Sequence, residues 1–249
     1  MMSLIEVQTS EIVKRQIGYK WRAYTGVFTS LVVIQLLGLF FSLNGTGQMG
    51  SGRTGYDVKI TYFTADIIVG FTIFWGFLTA FLLTTKAYRE DDFAFVTNRK
   101  TSTLSTIAFL FTICVIGALT ALLSSFALKL LAYVILPGEE MLLIQGMGDV
   151  GTWLQGIFAT ILIVFMFSSL GYLAGMIIQL NKMLVIVLPV VVVGLMILLS
   201  RGGFQVEEYF FQFIFEENQA WLFTLKTIAV TTIFYALAVL VSNRLEVKR

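Results

Sequence analysis

Few residues in this chain have the types and spacing to do chemistry. There is no histidine, and the one cysteine, Cys114, sits inside an apolar run. That removes His-metal sites, His-ligated haem and Ser-His or Cys-His catalysis, and it leaves neither a Cys-based metal site nor an intrachain disulfide. No acid–base or nucleophile pair of an enzyme is visible. One stretch has a nucleotide-binding look: Gly47 to Thr54, GQMGSGRT, nearly matches a phosphate loop, with Arg53 where lysine is needed. A true phosphate loop also needs a preceding strand and a following helix. Here an apolar run precedes it and the predicted topology puts it outside, so a flexible loop is the better account. Asn44-Gly45-Thr46 is a glycosylation sequon by pattern only.

What remains is contact chemistry, concentrated in Lys86 to Thr103, KAYREDDFAFVTNRKTST. It holds four bases (Lys86, Arg89, Arg99, Lys100), three consecutive acids (Glu90, Asp91, Asp92) and two aromatics directly after them, Phe93 and Phe95. On both sides the chain is apolar for about 20 residues or more, long enough to cross a bilayer. A charged connector between two spans must lie outside the hydrocarbon, and its excess of Lys and Arg places it in the cytoplasm. It is a natural grip for a cytoplasmic partner. The bland reading is a solvated loop whose phenylalanines rest on the bilayer surface.

The elements that position this connector are membrane spans. Of 249 residues, 57% are hydrophobic and 13% charged, with a mean hydropathy of +0.87. A soluble domain carries about 25% charged residues. The expected fold is therefore all-α and polytopic, a single transmembrane domain over 1–249 with no soluble domain left over. The net charge of +2 is too small to suggest nucleic acid. Six spans are expected, at 23–43, 67–85, 104–136, 152–180, 183–200 and 220–241.

Between the spans the pattern is specific. Residues 8–22 read as a helix in the membrane interface, with Val13, Ile17, Trp21 and Tyr24 on one face and Glu11, Arg15 and Arg22 opposite. Lys20 falls on the apolar side and would have to snorkel. The alternative is a basic flank that sets topology. A cleaved signal peptide is disfavoured, because the apolar run is too long for one and no clean cleavage site follows. Residues 44–65 form a glycine-rich outer loop. The third run is 33 residues long, about 50 Å as one helix. Against about 30 Å of hydrocarbon it must project outward or break near Ser124-Ser125. Gly171 and Gly175 make a small-xxx-small pattern, read as close packing within the subunit before a dimer face. Asn181-Lys182 makes a tight inner turn, and Pro189 would kink or loosen the fifth span. Residues 201–219 carry Glu207-Glu208 and Glu216-Glu217 around YFFQFIF, read as short re-entrant helices in the outer interface.

With both termini inside, the inner segments hold 12 Lys and Arg and the outer side five, while acids divide six inner to nine outer. The positive-inside rule is obeyed. No acid or base lies at mid-membrane depth; Asp66, Lys129 and Lys226 sit near outer span ends. Intramembrane charge marks proton relays and ion coupling. Its absence argues against an ion-driven transporter, and no filter-like motif argues for a channel. Energy must then come from a partner.

This arrangement resembles the membrane subunits of ABC exporters of the type-2 permease class. The similarity rests on six spans with both ends inside and a basic N-terminal helix. It also rests on a helical connector between spans two and three, a tight turn between four and five, re-entrant outer helices, and the segment DDFAFVTNRKTSTLS before an apolar run. The resemblance implies that the 86–103 connector is a coupling helix. Its Arg89, Glu90, Asp91, Asp92, Phe93 and Phe95 would dock in a cleft of a separate cytoplasmic ABC ATPase, which carries the ATP and magnesium. It also implies a second permease copy, identical or paralogous, in a bacterial cell membrane. This chain itself is expected to bind no cofactor and no metal. Uncharged spans suit export or extraction of a hydrophobic or amphipathic substrate, such as a peptide, a bacteriocin or toxin, or a lipid-linked compound. The competing expectation is a membrane sensor or assembly scaffold that recruits a cytoplasmic regulator without transport.

Overall fold

The computed structural model describes residues 9–43, 45, 47–53, 56–62, 64–85, 88, 99–135, 150–181, 183–203, 212, 217 and 219–244. Their elements are α1 (Thr9–Ala23), α2 (Thr25–Ser42), β1 (Gly47–Arg53), β2 (Tyr56–Tyr62), α3 (Asp66–Leu83), α4 (Arg99–Ile135), α5 (Val150–Ile178), α6 (Leu184–Arg201) and α7 (Ala220–Arg244). The helices α2 to α7 are each long and apolar enough to cross a membrane. The chain is thus a polytopic helical membrane protein. Its spans agree with the apolar runs to within a few residues, save at the start of α4.

Four expectations change or narrow in detail. The glycine-rich stretch is not an irregular loop: β1 and β2 pair antiparallel, with Gly47 opposite Tyr62 and Arg53 opposite Tyr56. GQMGSGR is therefore itself a strand, where a phosphate loop would have to follow one. The third span is one unbroken helix of 37 residues, so of the two alternatives it is the single overlong helix, and not the break near Ser124-Ser125, that is found. At about 55 Å it exceeds the hydrocarbon by some 25 Å. That helix begins at Arg99, so the last five residues assigned to the connector belong to α4. Finally, Lys20 does not snorkel but is buried. Of the re-entrant segment only 202, 203, 212, 217 and 219 and the end of α6 are described, and that expectation otherwise lies outside the described residues.

Contacts divide the chain into two units, Met1–Gly76 with Val96–Phe165, and Phe77–Phe95 with Met166–Arg249. In the first unit α1 and α2 run alongside α4 in the same direction. Lys20 meets Thr106, Tyr24 meets Phe109 at 5.9 Å between rings, Leu31 lies by Gly117, and Gln35 reaches Thr120. Leu128 and Ala132 of α4 pack with Leu39 and Leu43 at the far end of α2. The first half of α3 returns antiparallel along α2: Ile68 lies against Gly38 and Trp75 donates through Nε1 to Ser30 Oγ at 2.9 Å. A Cβ on Gly38 would stand 3.0 Å from Ile68 Cα, which is why the two backbones need a glycine there. The first half of α5 runs antiparallel to α4, pairing Phe111 with Phe165 at 5.3 Å and Phe126 with Trp153 at 6.4 Å.

In the second unit the end of α3 lies beside α5, and Tyr172 of α5 meets Tyr235 of α7 at 5.8 Å. The tight turn from α5 to α6 is built by Asn181. Its Oδ1 accepts from the Met183 N–H at 3.1 Å, and its carbonyl accepts from Leu184 N–H at 2.9 Å. An asparagine that bonds its own backbone two residues on is a turn former by mechanism. The helix α6 runs on through Pro189, which lacks the N–H for the Val185 carbonyl, and none of its residues is buried. Gly203 follows it at φ +82°, a left-handed conformation that glycine adopts without a steric penalty.

Candidate functional site: the connector and its anchors

The six residues assigned to partner contact, Arg89, Glu90, Asp91, Asp92, Phe93 and Phe95, lie outside the described residues. The two ends from which the connector hangs are described, and each is held by different chemistry.

The first end is the exit of α3. Thr84 follows the helix and its Oγ1 donates back to the Phe81 carbonyl at 2.7 Å. The Thr84 carbonyl accepts a hydrogen bond from Nε2 of Gln179, at the end of α5. Gly175, one turn earlier on α5, faces Thr84 and the Phe81 carbonyl, and Gly171 faces the Phe77 carbonyl. An ideal Cβ on Gly171 would fall 2.2 Å from that oxygen, so the α3 and α5 backbones approach as only glycine permits. The glycine pair thus sits in a contact within the subunit. With Gln179 it clamps the last two turns of α3.

The second end is the start of α4, which α1 packs along. The buried edge of α1 is Val13, Gln16 and Lys20, continued by Tyr24 just beyond the helix; it keeps Val13 and Tyr24 of the expected face, but Gln16 and Lys20 are buried where Ile17 and Trp21 were expected, and those two are half-buried. Lys20 Nζ donates to Thr106 Oγ1 at 2.6 Å, and Thr106 in turn donates to the Ser102 carbonyl at 2.9 Å. Trp21 stacks on Phe28 at 5.1 Å and meets Phe109 edge-on at 6.4 Å. The exposed face carries Lys14, Arg15 and Arg22, with Arg15 bonded to Glu11 at 2.8 Å. The pair is solvent-facing and contributes little to stability.

One polar group in the spans escaped the sequence reading. Gln35, buried midway along α2, donates through Nε2 to the Gly117 carbonyl at 3.0 Å and to Thr120 Oγ1 at 3.0 Å, and reaches Thr72 Oγ1 at 3.3 Å. Both threonine hydroxyls give their own proton to a carbonyl one turn back, Ile68 and Ile116, and so present lone pairs to the amide. One side chain ties three helices. The signal was available: a lone amide in an 18-residue apolar run is expensive unless bonded, but a search restricted to charges passes over it. Interhelical hydrogen bonds in membranes are each worth about 1 kcal/mol. Gln35→Leu, which loses the two bonds of 3.0 Å together, is therefore expected to lower the melting temperature in detergent by about 6 °C. Thr72→Val, which removes the longest of the three contacts, should cost less. A Gln35→Leu protein that melts with the parent would show the tie to be incidental.

The charges at span ends are accommodated. Asp66 opens α3 and accepts from Thr64 Oγ1 at 2.5 Å, and Lys226 pairs with Glu217. Cys114 is buried. A scan against family models, a search of curated proteins and a search of solved structures found no match to this chain.

Proposed function

We propose that this chain is the membrane subunit of an ATP-driven exporter of the type-2 permease class in a bacterial cell membrane, with both termini cytoplasmic. In this reading the spans form the path for a hydrophobic or amphipathic substrate, a peptide or a lipid-linked compound. A separate ABC ATPase docks on Arg89 to Phe95. A second permease copy completes the path.

The observation that carries the reading is the treatment of the connector. It is the most charged segment between spans, and both of its ends are held. The glycine contact and Gln179 hold the α3 end, and the docking of α1 along α4 holds the other. A displacement of either end is passed to packed helices. Apolar spans without mid-membrane charge supply no ion coupling, so the driving energy arrives through that segment.

The test is to co-express the chain with an ATPase encoded beside it and to recover the pair from detergent. Co-purification with ATP hydrolysis stimulated by the transported compound is the expected result. Recovery of the pair with hydrolysis unchanged by any compound would point instead to a sensor or scaffold.

A further inference from the structure

We propose that the seam between α1 and α4 binds a phosphodiester headgroup that carries a hydroxyl, as a glycerol-headed anionic phospholipid does. Gln16 and Lys20 are one turn apart on α1 and are 4% and 2% exposed, both turned into the protein. Residues spaced i and i+4 on a helix lie one above the other on the same face. Thr101 and Ser105 are buried on the facing turns of α4.

The amide of Gln16 is the second observation. Among the described residues neither its Nε2 nor its Oε1 has a hydrogen-bond partner. A buried amide left in that state is costly, so its partner must be one that both accepts and donates. A bare anion satisfies only the Nε2 protons. A phosphodiester oxygen accepts from Gln16 Nε2 and Lys20 Nζ together, and a headgroup hydroxyl donates to Gln16 Oε1.

The height is right for a lipid. With 18 residues, α2 is about 27 Å long, close to the hydrocarbon thickness. Lys20 stands five residues before its first residue, about 7 Å along the axis and within the headgroup layer. The exposed Lys14, Arg15 and Arg22 of α1 raise the local concentration of anionic lipid. Tyr24 breaks the helix between α1 and α2 at φ −102° and ψ 42°, and entry of the headgroup requires α1 to tilt about that residue.

The experiment uses the full chain, delipidated in detergent, with short-chain phosphatidylglycerol, short-chain phosphatidylcholine and free glycerol phosphate as probes. Phosphatidylglycerol is expected to raise the melting temperature of the parent by about 3 °C, phosphatidylcholine not to do so, and the lipid to be retained in native mass spectrometry. Gln16→Leu and Lys20→Met should abolish the shift, while Arg15→Ala keeps it. Gln16→Glu guards against misfolding, because a carboxylate beside Lys20 keeps the seam polar while repelling phosphate; it should fold and lose the shift. An equal shift with glycerol phosphate would support the site and assign it to a soluble ester. Equal shifts from both lipids, or an undiminished phosphatidylglycerol shift in Gln16→Glu, would overturn the proposal and leave water as the partner of Gln16.

Discussion

Gly171→Ala should melt about 9 °C below the parent, a loss of about 3 kcal/mol, and Gly171→Leu should not assemble in detergent at all. The reason is geometric. The new Cβ would stand 2.2 Å from the Phe77 carbonyl oxygen and 3.0 Å from Phe77 Cα, both backbone atoms of a helix that cannot step aside alone. Gly175→Ala should be milder, about 1 kcal/mol. Its closest clash, 2.1 Å, is with Thr84 Oγ1, the end of a side chain that can rotate, although the Phe81 carbonyl stands at 3.0 Å. Thr84→Ala should accordingly restore much of the stability of Gly175→Ala and none of that of Gly171→Ala. Melting curves and size-exclusion profiles of the parent, the single variants and the two double variants read this directly. If Gly171→Ala melts with the parent, α3 and α5 do not approach at that point.

The second large effect is expected at the connector. If the proposed ATPase docks there, Phe93→Ala and Phe95→Ala should each cost about 2 kcal/mol of its binding, roughly a 30-fold loss of affinity. Large aromatics on a short charged segment are costly to leave in water and serve as anchors when a partner offers an apolar socket. The acids Glu90, Asp91 and Asp92 should act differently. Charges at a rim steer and orient, so their replacement by Asn or Gln should slow association and reduce its salt dependence while leaving most of the affinity. Pull-down of the ATPase and transport in vesicles separate the two classes, with membrane insertion of each variant as the control. Full ATPase binding and full transport by the double phenylalanine variant would falsify the anchor role.

The spans were legible because the bilayer demands long apolar runs and little else. Leu184–Arg201 could be read to within one residue at each end and Asp66–Leu83 to within two. The start of α4 was not, since Arg99 to Thr103 are helical but polar, and hydropathy marks the hydrocarbon rather than the helix. The β1–β2 hairpin was hidden for a related reason: GQMGSGR has no alternating apolar face and three glycines, which disfavour strands taken alone. Gly171 and Gly175 were readable as a close-approach pattern, but the helix they meet was not. The burial of Lys20 and Gln16 was beyond reach. A helical wheel ranks α1's faces by its own residues, whereas the buried edge is chosen by Thr106 and Phe109 on another helix.

That last contact sets an order of events during synthesis. Lys20 and Thr106 are 86 residues apart in the chain. At a translation rate of 5–20 residues per second, α1 is made on the order of ten seconds before its partner helix exists. Throughout that interval Lys20 and Gln16 have no α4 to turn into, and they stay solvated at the membrane surface while α2 and α3 insert. The helix α1 is thus made well before the helix it docks on, and it cannot dock until α4 has been made. A chain halted before residue 106 should leave α1 open to protease, and completion of α4 should close it.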